Sequence, residues 1–158
     1  MSEQGKTPSA SMTTVTKLMM PMDASVSGNV FGGTILKLID EVGSIAAVRH
    51  ARKNIVTASV DQMNFLAPVH VGDLLRVIAS VNYVHKTSME IGVRVEAEDP
   101  LTGKIRHTGT CYLTCVSLDK YGRPTPVPTL IPDTEQDKRH WAEAEVRRDH
   151  RLQHLGKK

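Results

Sequence analysis

One carboxylate lies in the longest apolar stretch of the chain with no cation facing it. At helical spacing the neighbours of Asp40 are Leu36, Gly43 and Ala47. A carboxylate among small and apolar side chains is partly desolvated, which raises its pKa and makes it a stronger base. The missing side chain at Gly43 would leave room for a ligand. Spacing alone leaves two interpretations open, a general base or a boundary acid that meets solvent, and by itself it favours the second.

A second feature precedes this stretch, where Asn29-Val-Phe-Gly-Gly33 leads into the predicted helix. Gly32 and Gly33 would let another molecule approach the backbone closely, and the unpaired N–H groups of a helix start favour a developing negative charge. An oxyanion could bind there. The alternative is a tight turn in which Asn29 serves only as a turn or cap residue.

Other chemistries find little support in the sequence. The seven histidines form no usable constellation, and no Gly-x-Ser-x-Gly nucleophile elbow occurs. Cys111 and Cys115 would share one face of a strand about 13 Å apart, too far for a disulfide, and are predicted to be buried thiols. No Cys or His pairs have metal-ligand spacing, so we expect no metal and no cofactor.

These residues require a helix and several strands to position them. Apolar residues at helical spacing and the absence of proline predict a helix from Thr34 to His50. Alternation with a period of two predicts long strands afterwards, which include 55–65, 75–83, 89–97 and a last strand through Leu118, with a three-residue hairpin turn from His85 to Thr87. A short strand is predicted before the helix, from Thr13 to Met19. The order predicts an α+β fold, an antiparallel sheet wrapped around one helix, whose exposed edges favour self-association.

The ends of the chain differ from this body. We expect a flexible N-terminus over 1–12, one domain over 13–132, and a charged C-terminal helix or tail over 133–158 that lies on the surface or frays. Much of the net charge of +3 sits in that tail, but with 4% aromatic residues a nucleic-acid role is improbable. The polar first residues contain no apolar secretory segment, and the composition does not suggest a membrane span, so a cytoplasmic location is expected.

Several spaced motifs also carry a resemblance to a known family. The segment Gly28-Asn-Val-Phe-Gly-Gly33, the Asp40-Glu41 pair and the later segments 54–61, 71–73, 86–90 and 126–128 are similar, in the same order, to hotdog-fold acyl-CoA thioesterases of the cytosolic acyl-CoA hydrolase group. The resemblance covers about residues 13 to 132 and shifts the balance for Asp40 towards a catalytic role.

The resemblance implies a fold, an activity and an assembly. It implies a hotdog fold that hydrolyses acyl-CoA thioesters to fatty acid and coenzyme A, in dimers that form trimers of dimers, a homohexamer. Asn29 of one subunit would face Asp40 of the other. Asp40 would activate water, Asn29 would orient it, and Gly33 would polarise the carbonyl; direct attack by Asp40 stays open.

Coenzyme A carries phosphates, so its site needs cations and hydrogen-bond donors at a rim. The predicted coenzyme A contacts are Gly32, Thr57, Ser59, Lys86, Thr87 and Ser88, with Arg94 and Arg123 as weaker candidates. Two alternatives follow from the same fold. A hydratase would need a histidine near the helix loop, and 21–33 contains none; a non-catalytic acyl-CoA-binding or sensing protein would use the same pocket.

Overall fold

Five strands form one antiparallel sheet in a computed structural model that describes residues 4–156. The strands are β1 (Thr13–Leu18), β2 (Asn54–Phe65), β3 (Leu74–His85), β4 (Ser88–Glu98) and β5 (Ile105–Leu118), and their order across the sheet is β1-β3-β4-β5-β2. The helices are α1 (Pro8–Ser11), α2 (Gly32–Ala51) and α3 (Glu135–Leu155), with a 3-10 turn at Pro21–Asp23. No helix within residues 4–156 is both long and apolar enough to cross a membrane.

Helix α2 packs along one face of the sheet and forms the core with it. The inward residues of the three central strands are almost completely buried, as are most of the apolar helix residues predicted from the sequence. The helical spacing predicts one buried face that contains Ile35, Leu38, Ile39, Val42, Ile45 and Ala46, and of these only Ile45 is exposed, at 40%. The helix ends where Arg52 takes a left-handed conformation and its N–H bonds to the Val48 carbonyl.

Gly43 lies where α2 approaches the sheet most closely. A Cβ atom added to Gly43 would stand 2.5 Å from Cδ1 of Leu113 on β5, closer than side chains can pack. The expectation that this glycine leaves room for a ligand is therefore wrong. Its missing side chain lets the helix lie against β5, and the space is already filled by Leu113.

The hairpin between β3 and β4 is one residue tighter than the sequence predicted. His85 pairs with Ser88, so the turn contains only Lys86 and Thr87. Lys86 has a φ of 35°, a left-handed conformation that is uncommon for a residue with a side chain. Such conformations are found disproportionately at ligand sites.

Strand β2 forms one edge of the sheet, and its pairing with β5 is interrupted twice. The register shifts between Thr57 and Ser59 and again between Asp61 and Asn64. An extra residue in one strand reverses the faces of all residues that follow. Before the first shift, Thr57 lies opposite Cys115 and faces α2. After this shift, Ser59 lies opposite Thr114 on the outer face.

The first and the last described segments of the chain both contact the sheet or α2. Within the segment predicted to be flexible, residues 8–11 form α1, and Nζ of Lys6 donates to the His50 carbonyl at 2.7 Å; residues 1–3 are outside the described range. Helix α3 lies on the outer face of the sheet, where Arg147 binds Glu90 and Arg151 binds Asp61. Two charge pairs thus dock α3 on the sheet.

Candidate active site

Asp40 and Thr57 meet where the middle of α2 faces the edge strand. The Thr57 hydroxyl donates to Oδ1 of Asp40 at a distance of 2.6 Å. The Asp40 side chain is exposed in the single chain, so the desolvation expected from its apolar neighbours would require a cover from another molecule. A carboxylate held by one oxygen and open at the other can accept a proton from a water molecule.

A thiol lies next to this pair. Cys115 of β5 is completely buried opposite Thr57, and burial raises its pKa to about 11, with the Thr57 side chain opposing and the Asp40 charge adding to the shift. Cys111 is buried on the same face of the strand. Both thiols are therefore buried, as predicted. The position of Cys115 beside Thr57 was not predicted, because the two residues are far apart in the sequence.

The beginning of α2 offers free backbone donors beside a cleft. Helix α2 starts at Gly32 without a side-chain cap, and within residues 4–156 the amides of Gly32 and Gly33 have no hydrogen-bond partner. Nothing stands within 4 Å of a Cβ placed on Gly33, so its backbone is open to a ligand. Asn29 and Gly32 line a cleft of about 370 Å³, and the other wall includes Phe65 and Pro68.

These two parts of the site are separated within one chain. Gly33 and Asp40 lie about 10 Å apart along the helix axis, given a rise of about 1.5 Å per residue. The cleft adjoins the end of β2 at Phe65, whereas Asp40 contacts the first half of β2 at Thr57. The single chain therefore brings Asp40 and Thr57 together but does not bring Asn29 to them.

The predicted coenzyme A contacts are spread over four places, of which Gly32 at the start of α2 and Thr57 beside Asp40 are described above. Lys86 and Thr87 line an open cleft of about 700 Å³ together with Trp141 and the proline-rich segment after β5. Ser88 donates to the His85 carbonyl at 3.3 Å and lies in the same hairpin. Ser59 faces α3 with its hydroxyl 3.5 Å from Oδ1 of Asp61, on the opposite face from Asp40.

The weaker cation candidates are partly engaged elsewhere. Arg94 binds Glu96 at 2.9 Å on the outer face of the sheet, and Arg123 stacks on Tyr121 in the turn after β5. Across residues 4–156, no three histidine, cysteine or acidic side chains come together in a way that would hold a metal ion.

Comparison with known proteins identifies the fold and the family. The model of the thioesterase superfamily matches residues 27–104. An uncharacterised acyl-CoA thioester hydrolase of Bacillus subtilis is 38% identical over 122 residues, which are 77% of this chain and 71% of that protein. The human cytosolic acyl coenzyme A thioester hydrolase is 39% identical over 144 residues, 89% of this chain but only 38% of the human protein.

Solved structures agree with these relatives. An apo-hexameric acyl-CoA thioesterase superimposes with a TM-score of 0.93 at 37% identity and covers 97% of this chain and 98% of its own. The Staphylococcus aureus acyl-CoA hydrolase, determined with butyryl coenzyme A, coenzyme A and coenzyme A disulfide, gives a TM-score of 0.91 at 32% identity over 98% of this chain and 94% of its own. Structures of its mutants carry alanine in place of an aspartate, an asparagine or a threonine.

The chain belongs to the thioesterase superfamily, as a hotdog-fold member of its acyl-CoA thioesterase group. The family resemblance, the α+β class, the hotdog fold and the class of enzyme predicted from the sequence are confirmed.

Proposed function

We propose that this protein hydrolyses acyl-CoA thioesters, with Asp40 as the general base. The observation that carries this proposal is the pair formed by Asp40 and Thr57, which lies open at the edge strand. In the Staphylococcus aureus hydrolase, the substituted aspartate and threonine are separated by the same 17 residues that separate Asp40 and Thr57.

The proposed reaction needs one proton acceptor and one oxyanion site. Thr57 holds Oδ1 of Asp40, so the other oxygen takes a proton from water as the water attacks the thioester carbonyl. Backbone amides at Gly33, at the positive end of the α2 dipole, stabilise the oxyanion of the tetrahedral intermediate. The intermediate then expels the coenzyme A thiolate, which takes up the proton from Asp40.

A second copy of the chain would complete the site. Strand β2 pairs with β5 on one side only, and its exposed side chains include Val56, Val60 and Phe65. If two β2 edges met about a twofold axis, they would run antiparallel, and the end of one strand would lie beside the start of the other. In this arrangement Asn29 and Gly33 of one subunit would lie near Asp40 of the other subunit. They would also cover the exposed carboxylate of that Asp40. Hexameric relatives support a further assembly of such dimers into a homohexamer.

Asn29 is our first candidate for the residue that orients water, because it lines the cleft beside the free amides. Ser25 is a second candidate. In the Staphylococcus aureus protein the substituted asparagine precedes the substituted aspartate by a certain number of residues. In this chain the residue that precedes Asp40 by the same number is Ser25. The Ser25 hydroxyl is 2.7 Å from that of Ser27 in the exposed loop before α2. A hydroxyl can also orient a water molecule, since it both donates and accepts.

We propose that the Lys86 to Ser88 hairpin binds the coenzyme A part of the substrate. Support comes from the exposed cation at Lys86, its left-handed backbone and the large cleft beside it. We also propose that Gly32, Thr57 and Ser59 contact the substrate, with Ser59 on the opposite side of the sheet from Thr57. The reaction needs no cofactor beyond the substrate, and a cytoplasmic location is proposed from the cytosolic mammalian relatives.

The test is a hydrolysis assay with acyl-CoAs from acetyl to palmitoyl, in which the free thiol of coenzyme A is measured. The Asp40→Asn variant should lose about 10² to 10⁴ in turnover, the usual contribution of a positioned base. Glu41→Gln is the matched control, because Glu41 is an exposed neighbour on the same helix. Near-normal turnover of Asp40→Asn would refute the proposal, and tight acyl-CoA binding without any hydrolysis by the unaltered protein would favour a sensing role.

A further inference from the structure

A largely buried ion pair holds the turn that follows the wall of the cleft. Oδ2 of Asp73 accepts a hydrogen bond of 2.7 Å from Nη2 of Arg106 on β5 and another of 2.8 Å from the His70 amide. The side chain of Asp73 is 8% exposed and that of Arg106 is 25% exposed. Charge-assisted hydrogen bonds are strong, and more so where water is largely excluded. The turn from His70 to Asp73 is therefore fixed to the beginning of β5.

The residues before this turn are held by the same strand. Nη2 of Arg106 also donates to the Pro68 carbonyl, at 3.3 Å. The Leu66 amide donates to the Thr108 carbonyl of β5 at 2.8 Å. The segment 66–73 is thus anchored to β5 at its beginning and at its end.

The anchored segment in turn holds the loop before α2. The Val30 amide donates to the Val69 carbonyl at 2.8 Å, and the backbone of Asn29 forms an antiparallel bridge with that of His70. Residues 65–69 line the same cleft as Asn29, the first candidate for orienting the attacking water. The free amides at the start of α2 follow directly in the chain. The placement of Asn29 therefore depends in part on the anchored segment.

We propose that Asp73 and Arg106 are positioning residues for the hydrolysis, which fix Asn29 and the start of α2 beside the cleft through the segment 66–73. This inference rests on the proposed function, since it assigns a role in the same reaction. Within residues 4–156 neither side chain lines the cleft, and neither touches the substrate in this scheme. The pair acts through the backbone that it anchors, so its loss should lower turnover more than substrate binding.

The test compares the hydrolysis kinetics of Arg106→Met and Arg76→Met. Arg76 is a matched control, because it also pairs with a carboxylate, with its Nη1 3.5 Å from Glu96. Arg106→Met should lower kcat about tenfold, since a shift of about 1 Å near the chemistry can cost ~10²-fold. KM should change by less than about twofold, because the hairpin proposed to bind coenzyme A follows β3 whereas the anchored segment precedes it. Arg76→Met should keep kcat, and Arg106→Lys should restore part of the loss, since lysine keeps the charge.

Hydrogen exchange followed by mass spectrometry reports the positioning directly. In Arg106→Met the peptides that contain residues 29–31 and 66–72 should exchange faster, whereas peptides of β4 should not change. If Arg106→Met does not fold, Asp73→Asn gives the same comparison with a smaller loss of kcat, because asparagine still offers an oxygen to the His70 amide.

A double-mutant cycle separates positioning from a general loss of stability. In the Asn29→Ala background, Arg106→Met should cause little further loss of kcat, because the side chain that it positions is gone. Three results would overturn the inference: equal losses in both backgrounds, unchanged exchange in 29–31, or full turnover in Asn29→Ala. Failure of the proposed function is distinct from these, since it would show as full turnover in Asp40→Asn.

Discussion

Among the contacts that dock α3, one involves a buried carboxylate, and removing the partner of this carboxylate should lower the stability strongly. Glu90 of β4 is 4% exposed, and Arg147 of α3 binds it through two hydrogen bonds of 2.7 and 3.1 Å. Asn82 adds a third at 3.2 Å. The Arg147 guanidinium also stacks over the Tyr112 ring, 3.6 Å from its centre. Burial lowers the pKa of Arg147, but the hydrogen bonds and charge of Glu90 outweigh this, so its pKa is raised and the cation is secure.

The substitution Arg147→Ala leaves this carboxylate buried without its cation. Breaking a buried pair from one side costs about 3–5 kcal/mol. We expect the lower end, about 3 kcal/mol, because Asn82 still donates to Glu90 and the side chain of Arg147 is itself 24% exposed. For a chain of this length that corresponds to a fall in Tm of about 6–12 °C.

The only tryptophan of the chain provides the assay. Trp141 lies on α3 with its ring 4.6 Å from that of Tyr83, so its fluorescence reports whether α3 is docked. Circular dichroism reports the sheet separately. Both should be followed in urea at one fixed protein concentration, since self-association would shift the midpoint. Arg139→Ala, an exposed arginine on the same helix, should change stability by less than about 0.5 kcal/mol.

A second variant tests the cause of the loss. Arg147→Met combined with Glu90→Gln removes both charges and keeps the shape of the contact, and it should return to within about 1 kcal/mol of the natural protein. The reasoning is refuted if Arg147→Ala costs less than about 1 kcal/mol, or if the double variant is as unstable as the single one.

Two further predictions concern binding and assembly. Lys86→Ala should raise KM for acyl-CoA about two- to fivefold with kcat nearly unchanged, because an exposed ion pair contributes little binding energy. The effect on KM should shrink in high salt. An unchanged KM at low salt would exclude the hairpin from the binding site. Val60→Lys places a charge on the exposed edge of β2, where the side chain is 52% exposed in the single chain. Light scattering should show smaller particles with a normal circular dichroism spectrum, and hydrolysis should fall in parallel; an unchanged mass would place the interface elsewhere.

Periodicity predicted the elements well because each is long and one-sided. The predicted helix from Thr34 to His50 lies within α2, and the predicted strands differ from the observed ones by a few residues at their ends. Burial of one face repeats along the chain, so it is visible without knowing any partner. The order of these elements also sufficed for the α+β class, since no helix falls between the last three strands.

Counting residues failed where the backbone departs from regular spacing. Thr57 and Ser59 are two residues apart and should share a face, but the register shift between them sends Ser59 to the outer side of the sheet. The turn at Lys86 was also predicted one residue too long. Lys86 has a left-handed conformation, which a glycine would have indicated but a lysine does not.

The sequence by itself determined that Asp40 stands on an apolar helix behind a glycine pair, because helical spacing is local. Only the tertiary structure decided that Thr57 holds Asp40, that Leu113 fills the space at Gly43, and that α3 is clamped by Arg147. The physical reason is the same in each case. These contacts join residues of different elements, and their geometry depends on how the strands register and how the helices pack against them.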